Sequence, residues 1–258
     1  MIRHEISRNL FKPQTIIWSA DVPREEIEKV IKEKALPEGT VIKLDRAFFE
    51  ENSKVFIRFC EENGYPVFCD AKIIEIPSKV MKIAESYLRY KPFMLNIMAG
   101  ACSTGNYNTT DKNNLDALAR FAEACIDAGT KSCVVTVLTS KSEQLVFSEF
   151  GSSPIDQVMK YTHMAMKSGI TDIVCSPKEI KVIRGLIEFN DIWLNTPGVR
   201  LPGSSKDDQK RVTTPREALI SGANRLVIGR DLTGNPNDGD IVERIKRNYD
   251  KIMENIFE

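Results

Sequence analysis

Eight short apolar runs, each followed by a stretch of helical spacing, restrict this chain to very few folds. The runs are Thr15–Ala20, Thr40–Leu44, Val67–Asp70, Phe93–Asn96, Cys133–Val137, Asp172–Cys175, Ile192–Asn195 and Leu226–Ile228. Many are continuously apolar rather than alternating, which is how strands of a parallel sheet read when its outside is covered. Between them, apolar residues recur three and four positions apart, as with Ile27, Val30 and Ile31, or Val80, Ile83, Ala84 and Leu88. Pro23 and Pro215 fall near helix starts, Ser78 suits an N-cap, and Gly169 and Gly222 suit helix ends. Helices are also expected from the second strand to about Asn63, and over about 115–128, 155–167, 178–187 and 241–256. Eight such units predict an α/β fold, a single (β/α)8 TIM barrel over residues 15–258, with residues 1–14 as a short polar arm. The length of 258 residues suits one barrel. A doubly wound open sheet is the alternative, disfavoured because no Gly-rich turn follows the first strand.

Charge and cysteine usage narrow the function. Lys+Arg and Asp+Glu are equal at 36 each, which argues against a nucleic-acid or membrane partner. No run reaches transmembrane length, and the start lacks the long apolar run of a secretory signal. Cys60, Cys69, Cys102, Cys125, Cys133 and Cys175 form no CxxC pair and several fall inside apolar patterns. They read as reduced, buried thiols of a cytoplasmic protein. Of the two histidines, His4 lies in the arm and His163 inside a helical pattern, so no metal site is expected.

In such a barrel the active site lies at the C-terminal ends of the strands. Those ends carry Asp21, Lys43, Asp70 with Lys72, Asn96, Ser140, Ser176, Thr196 and Gly229-Arg230. Charged groups therefore gather on strands one to three, and neutral hydrogen-bonding groups on four to seven. Strand alternation places Asp70 and Lys72 on one side. Two readings of the pair stand: a salt bridge capping the strand, or a catalytic ammonium set by neighbouring carboxylates. At the last two strands, Thr196-Pro197-Gly-Val-Arg200 and Gly229-Arg230 suit phosphate, since Gly229 admits close backbone approach and Arg230 can grip an anion bidentately. The bland alternative for Arg230 is an ion pair with Asp231 or Asp238. The loop Thr196–Thr213 contains Lys206-Asp-Asp-Gln209-Lys-Arg211, either a solvated charge run or a lid with Gln209 reaching inward.

With these residues in place, the chain resembles the orotidine 5′-phosphate decarboxylase family over nearly the whole barrel. The most specific match is Thr196-Pro-Gly-Val-Arg-Leu-Pro-Gly-Ser-Ser-Lys-Asp-Asp-Gln-Lys-Arg-Val212, similar to that family's phosphate loop. Val135-Thr-Val-Leu-Thr-Ser140 and Asp70-x-Lys72-x-x-Glu75-Ile76-Pro77 match further motifs. The resemblance implies cofactor-free decarboxylation of orotidine 5′-phosphate to uridine 5′-phosphate. It implies that Lys72 protonates a carbanion at pyrimidine C6, that Asp70 crowds the departing carboxylate, and that Lys43 completes a row of alternating charges. Asp21 would hold ribose, Ser140 the pyrimidine amide, and Gln209, Gly229 and Arg230 the phosphate; Ile76, Lys79 and Pro197 join the substrate-binding set. A homodimer is implied too, with Glu75 reaching the neighbouring site. The chain departs from the pattern at Glu75, where the family has Asp, at Lys79, where it usually has Thr, at Asp45, where a Gly is normal, and at Asn96, where a His is common. Either the departures compensate within a working decarboxylase, or the site acts on, or only binds, a different phosphorylated nucleotide or sugar.

Overall fold

A computed structural model of the protein describes residues 6–8, 11–100, 112–203 and 213–258. Eight strands, β1 (Ile16–Ser19), β2 (Val41–Asp45), β3 (Val67–Ile73), β4 (Met94–Met98), β5 (Lys131–Val135), β6 (Asp172–Val174), β7 (Trp193–Thr196) and β8 (Arg225–Ile228), close into a barrel in sequence order. Every neighbouring pair is parallel, including β8 with β1. Helices α1 (Arg24–Lys32), α2 (Arg46–Glu51), α3 (Phe56–Glu62), α4 (Pro77–Leu88), α5 (Lys112–Asp127), α6 (Glu143–Phe150), α7 (Pro154–Lys167), α8 (Ile180–Arg184), α9 (Pro215–Ile220), α10 (Arg230–Thr233) and α11 (Ile241–Phe257) follow in turn. This is the (β/α)8 barrel that the strand–helix alternation predicts.

Strand alternation divides the core in two. Outward residues such as Ile16, Trp18, Ile42, Leu44, Cys69, Leu95 and Ile173 pack against the helices. Inward residues Ile17, Val41, Phe68, Met94, Cys133 and Val227 form a separate apolar plug inside the barrel. The period of two then puts Ser19, Lys43, Asp70 and Asn96 in the next inward layer, towards the strand C-termini. An apolar floor beneath polar groups is thus set by strand register.

The helical layer differs from the sequence reading in four places. The stretch after β2 is two helices, because Asn52 is extended (φ −121°, ψ 149°) and breaks the run. Asp45 starts the first of them, its carboxylate accepting from Phe48 N–H at 2.8 Å. α6 occupies a segment read as loop, with Ser142 as N-cap and Gly151 closing it at φ +64°. The helix expected over 178–187 shortens to α8, followed by a 3-10 turn at Ile187–Phe189. One helical turn, α10, begins directly after Gly229. At the N-terminus, Ile6 and Phe11 pack against the core, with Phe11 edge-on to Phe257 at 5.5 Å.

Candidate active site

A cavity of about 550 Å³ opens at the C-terminal ends of the strands. Lys43, Asp70 and Lys72 line it from β2 and β3, and Asp21 from the β1 exit. Because β8 pairs with β1, Gly229 and Arg230 come next to Asp21 around the rim, followed by Pro197, Gly198 and Arg200 after β7. The lining also includes Val135, Val137, Val174 and Val227, with Thr139 and Ser140 at the β5 exit. A larger depression of about 860 Å³ lies over α7, lined by Phe147, Met159 and His163, away from the strand ends.

Asp70 is the hub of the charged groups on β2 and β3. Its Oδ2 accepts from Lys43 Nζ at 2.9 Å and from Lys72 Nζ at 2.7 Å, while Oδ1 accepts from Asn96 Nδ2 at 2.6 Å. Burial alone favours the neutral acid, but the two ammonium groups outweigh it and hold the Asp70 carboxyl well below the ordinary carboxylate range. Burial likewise pulls the Lys43 ammonium down, yet the charges of Asp70 and then Asp21 carry it above its ordinary value. The Lys43 side chain is 11% exposed and that of Lys72 42%. Lys43 is therefore the buried counter-charge, and Lys72 is the ammonium that a ligand can reach.

Lys72 reaches Asp70 by a route that plain alternation does not give. The β3–β4 register shifts between Cys69 and Ile73, and Lys72 adopts φ +43°. A left-handed backbone at a non-glycine residue costs on the order of 1–2 kcal/mol, so it persists only where the surroundings enforce it. The bulge swings the side chain back over the strand end.

Elsewhere the strand-end residues divide. Asp21 accepts from Ser19 Oγ at 3.0 Å. Ser176 serves its own turn instead: its Oγ accepts from Lys178 N–H at 3.2 Å, and its N–H donates to Glu179. Asp231, offered in sequence as a partner for Arg230, pairs with Arg200 at 3.6 Å and accepts from Leu201 N–H at 2.6 Å. Arg200, only 9% exposed, lines the cavity and was signalled only by its place in the Pro197-Gly-Val-Arg200 run.

Three residues of the sequence-derived set lie away from this cavity. Glu75 lines a different depression with Arg46, Lys54 and Ile74, and its Oε2 accepts from Ile76 N–H at 3.1 Å. Ile76 is 57% exposed, and Lys79 is exposed on the first turn of α4. α4 starts at Pro77, so Glu75 precedes the helix. Gln209 and the charge run 206–211, like His4 and Cys102, lie outside the described residues. His163 meets Met159 O and Glu188, each at 2.9 Å. Among the described residues, no group of three or more His, Cys, Asp or Glu is placed to hold a metal ion. The five described cysteines are free and buried, and burial pushes the Cys125 thiol up to about 12.

Residues 14–245 match the Orotidine 5′-phosphate decarboxylase / HUMPS family. The chain belongs to that family. Similar family proteins named orotidine 5′-phosphate decarboxylase include one from Dictyoglomus turgidum, 30% identical over 93% of this chain and 96% of that protein. Another, from Moorella thermoacetica, is 33% identical over 86% of each. The crystal structure of orotidine 5′-phosphate decarboxylase from Lactobacillus acidophilus superposes with a TM-score of 0.72, covering 94% of this chain and 99% of that one at 24% identity. That likeness is one of fold. The family match runs over all eight strands, and so over every strand end that frames the cavity.

Proposed function

We propose that this protein decarboxylates orotidine 5′-phosphate to uridine 5′-phosphate without a cofactor, with Lys72 as proton donor. The observation that carries the reading is the hydrogen-bonded Lys43–Asp70–Lys72 array in a cavity that Arg200 and Arg230 also line. The C6–carboxylate bond breaks, carbon dioxide leaves, and the electron pair stays on C6. Lys72 Nζ gives that carbon a proton and later regains one from water. A vinylic carbanion is strongly basic, so a fixed ammonium beside it is worth far more in the transition state than with bound substrate. Asp70 lies against the same Nζ, which sets the ammonium and crowds a substrate carboxylate. The valine wall lowers the local polarity and strengthens these charge effects.

Arg230, with Gly198 and Gly229 beside it, suits a dianionic phosphate, and Arg200 pins that side to α10. Asp21 and Ser140 then fall to ribose and pyrimidine, with Pro197 against the nucleotide and Gln209 assigned to the phosphate by the motif alone. The direct test follows the fall in orotidine 5′-phosphate absorbance on mixing with enzyme. Turnover is expected for the wild type, and Arg230→Ala is expected to lower kcat/KM about 10- to 100-fold, the loss of one charge-assisted contact. Turnover of sugar phosphates in place of the nucleotide would favour the other reading of Glu75 and Lys79.

We also infer a homodimer in which Glu75, Ile76 and Lys79 serve the neighbouring site. Supporting it, Ile74 and Ile76 are 61% and 57% exposed on either side of Glu75, an apolar pair directly beyond a strand end. Light scattering is expected to show a dimer for the wild type and a monomer for Ile74→Arg/Ile76→Arg, with loss of most turnover. A fully active monomeric variant would remove the shared site.

A further inference from the structure

Asn96 is completely buried on β4, on the inward face beside β3, and its amide makes two bonds to the charged array. Its Oδ1 accepts from the Lys72 backbone N–H at 2.7 Å, and its Nδ2 donates to Asp70 Oδ1 at 2.6 Å. The first bond fixes which end of the amide is oxygen, so the second must be a donor facing the carboxylate. Asp70 is thereby divided, with Oδ1 on Asn96 and Oδ2 on both lysines.

The backbone at Lys72 makes this arrangement necessary. A φ of +43° would ordinarily select glycine, but this position must carry the ammonium and so cannot be glycine. Where the ladder slips between Cys69 and Ile73, the Lys72 N–H goes to the Asn96 side chain. One amide thus holds the kinked peptide and the carboxylate that the kinked side chain returns to.

We infer that Asn96 is a positioning residue for the reaction, setting the Lys72 ammonium against the reacting carbon through its paired bonds to the Lys72 peptide and Asp70. This rests on the decarboxylase reading above. A residue that only filled the barrel layer would affect stability and leave the chemical step alone.

The test compares wild type, Asn96→Leu, which keeps a branched side chain of somewhat larger volume but removes both bonds, and Asn96→Ala, which removes both bonds and the volume. A displacement near 1 Å at a reacting group can cost on the order of 100-fold in rate. The expected result is a kcat for orotidine 5′-phosphate lowered about 10- to 100-fold in both variants. KM and uridine 5′-phosphate affinity are expected to stay within about threefold, since the phosphate side is untouched. Crystal structures of the variants are expected to show Lys72 at negative φ with Nζ withdrawn from Asp70. A kcat within about threefold of wild type overturns the inference. So does a loss of product affinity that matches the loss of kcat, or a Lys72 kink that survives without the amide. If the wild type does not turn over, the decarboxylase reading falls, while the Lys72 φ and Nζ position in the variants still decide whether Asn96 sets them.

Discussion

Lys72→Ala is expected to lower kcat for orotidine 5′-phosphate by at least about 10³-fold while uridine 5′-phosphate still binds. The size follows from two losses at one atom. A positioned proton donor commonly contributes about 10²–10⁴-fold, and a fixed cation beside developing negative charge contributes a comparable factor. Both belong to the transition state, so kcat falls and product affinity holds. The fold is expected to tolerate the change, because Lys72 is the half-exposed member of the array. Asp70 keeps Lys43 and Asn96. Lys72→Arg is expected to fail almost as badly, since a guanidinium retains its proton far too tightly to donate it. Stopped-flow absorbance gives kcat and calorimetry gives product affinity. Near-normal turnover in Lys72→Ala would remove the proton donor from the proposal. Equal affinity in both proteins with turnover by neither would leave a nucleotide-binding module.

Much of this site was legible because local rules place it. Lys43 and Asp70 follow apolar strands at the period of two that turns side chains inward, and Gly229-Arg230 follows β8 directly. The Lys72 kink was not legible, because it arises from a register slip against β4, a strand some two dozen residues further on. The role of Asn96 depends on that slip and was hidden with it. α6 escaped for a different reason: Leu145 and Phe147 are 51% and 64% exposed, so its apolar residues do not mark an inward stripe. Glu75, Ile76 and Lys79 are recognisable as part of a motif, yet one chain leaves them outside its own cavity, and their assignment passes to the proposed dimer.

The far end of the barrel carries the second large expected effect, on stability. Arg225, 2% exposed at the start of β8, donates from one Nη to Asp172 Oδ1 at 2.6 Å and to Asn195 Oδ1 at 3.1 Å. Its guanidinium carbon lies 4.3 Å from the Trp193 ring centroid and 5.4 Å from that of Phe93. Asn195 completes the group by donating to Ile173 O at 3.2 Å. The starts of β6, β7 and β8 are thus joined below the apolar plug by a charge pair with little contact with water. Removing one member strands the other, and breaking such a pair costs about 3–5 kcal/mol. Arg225→Ala is therefore expected to lower Tm by on the order of 10 °C in a chain of this size. The kcat of the folded fraction should stay unchanged, because the plug separates this end from the mouth. Asp172→Leu/Arg225→Leu replaces both charges with apolar volume, and is expected to lose much less than the two single changes added together. A double variant as unstable as that sum would mean that the aromatic stacking, rather than the ion pair, holds the three strand starts together.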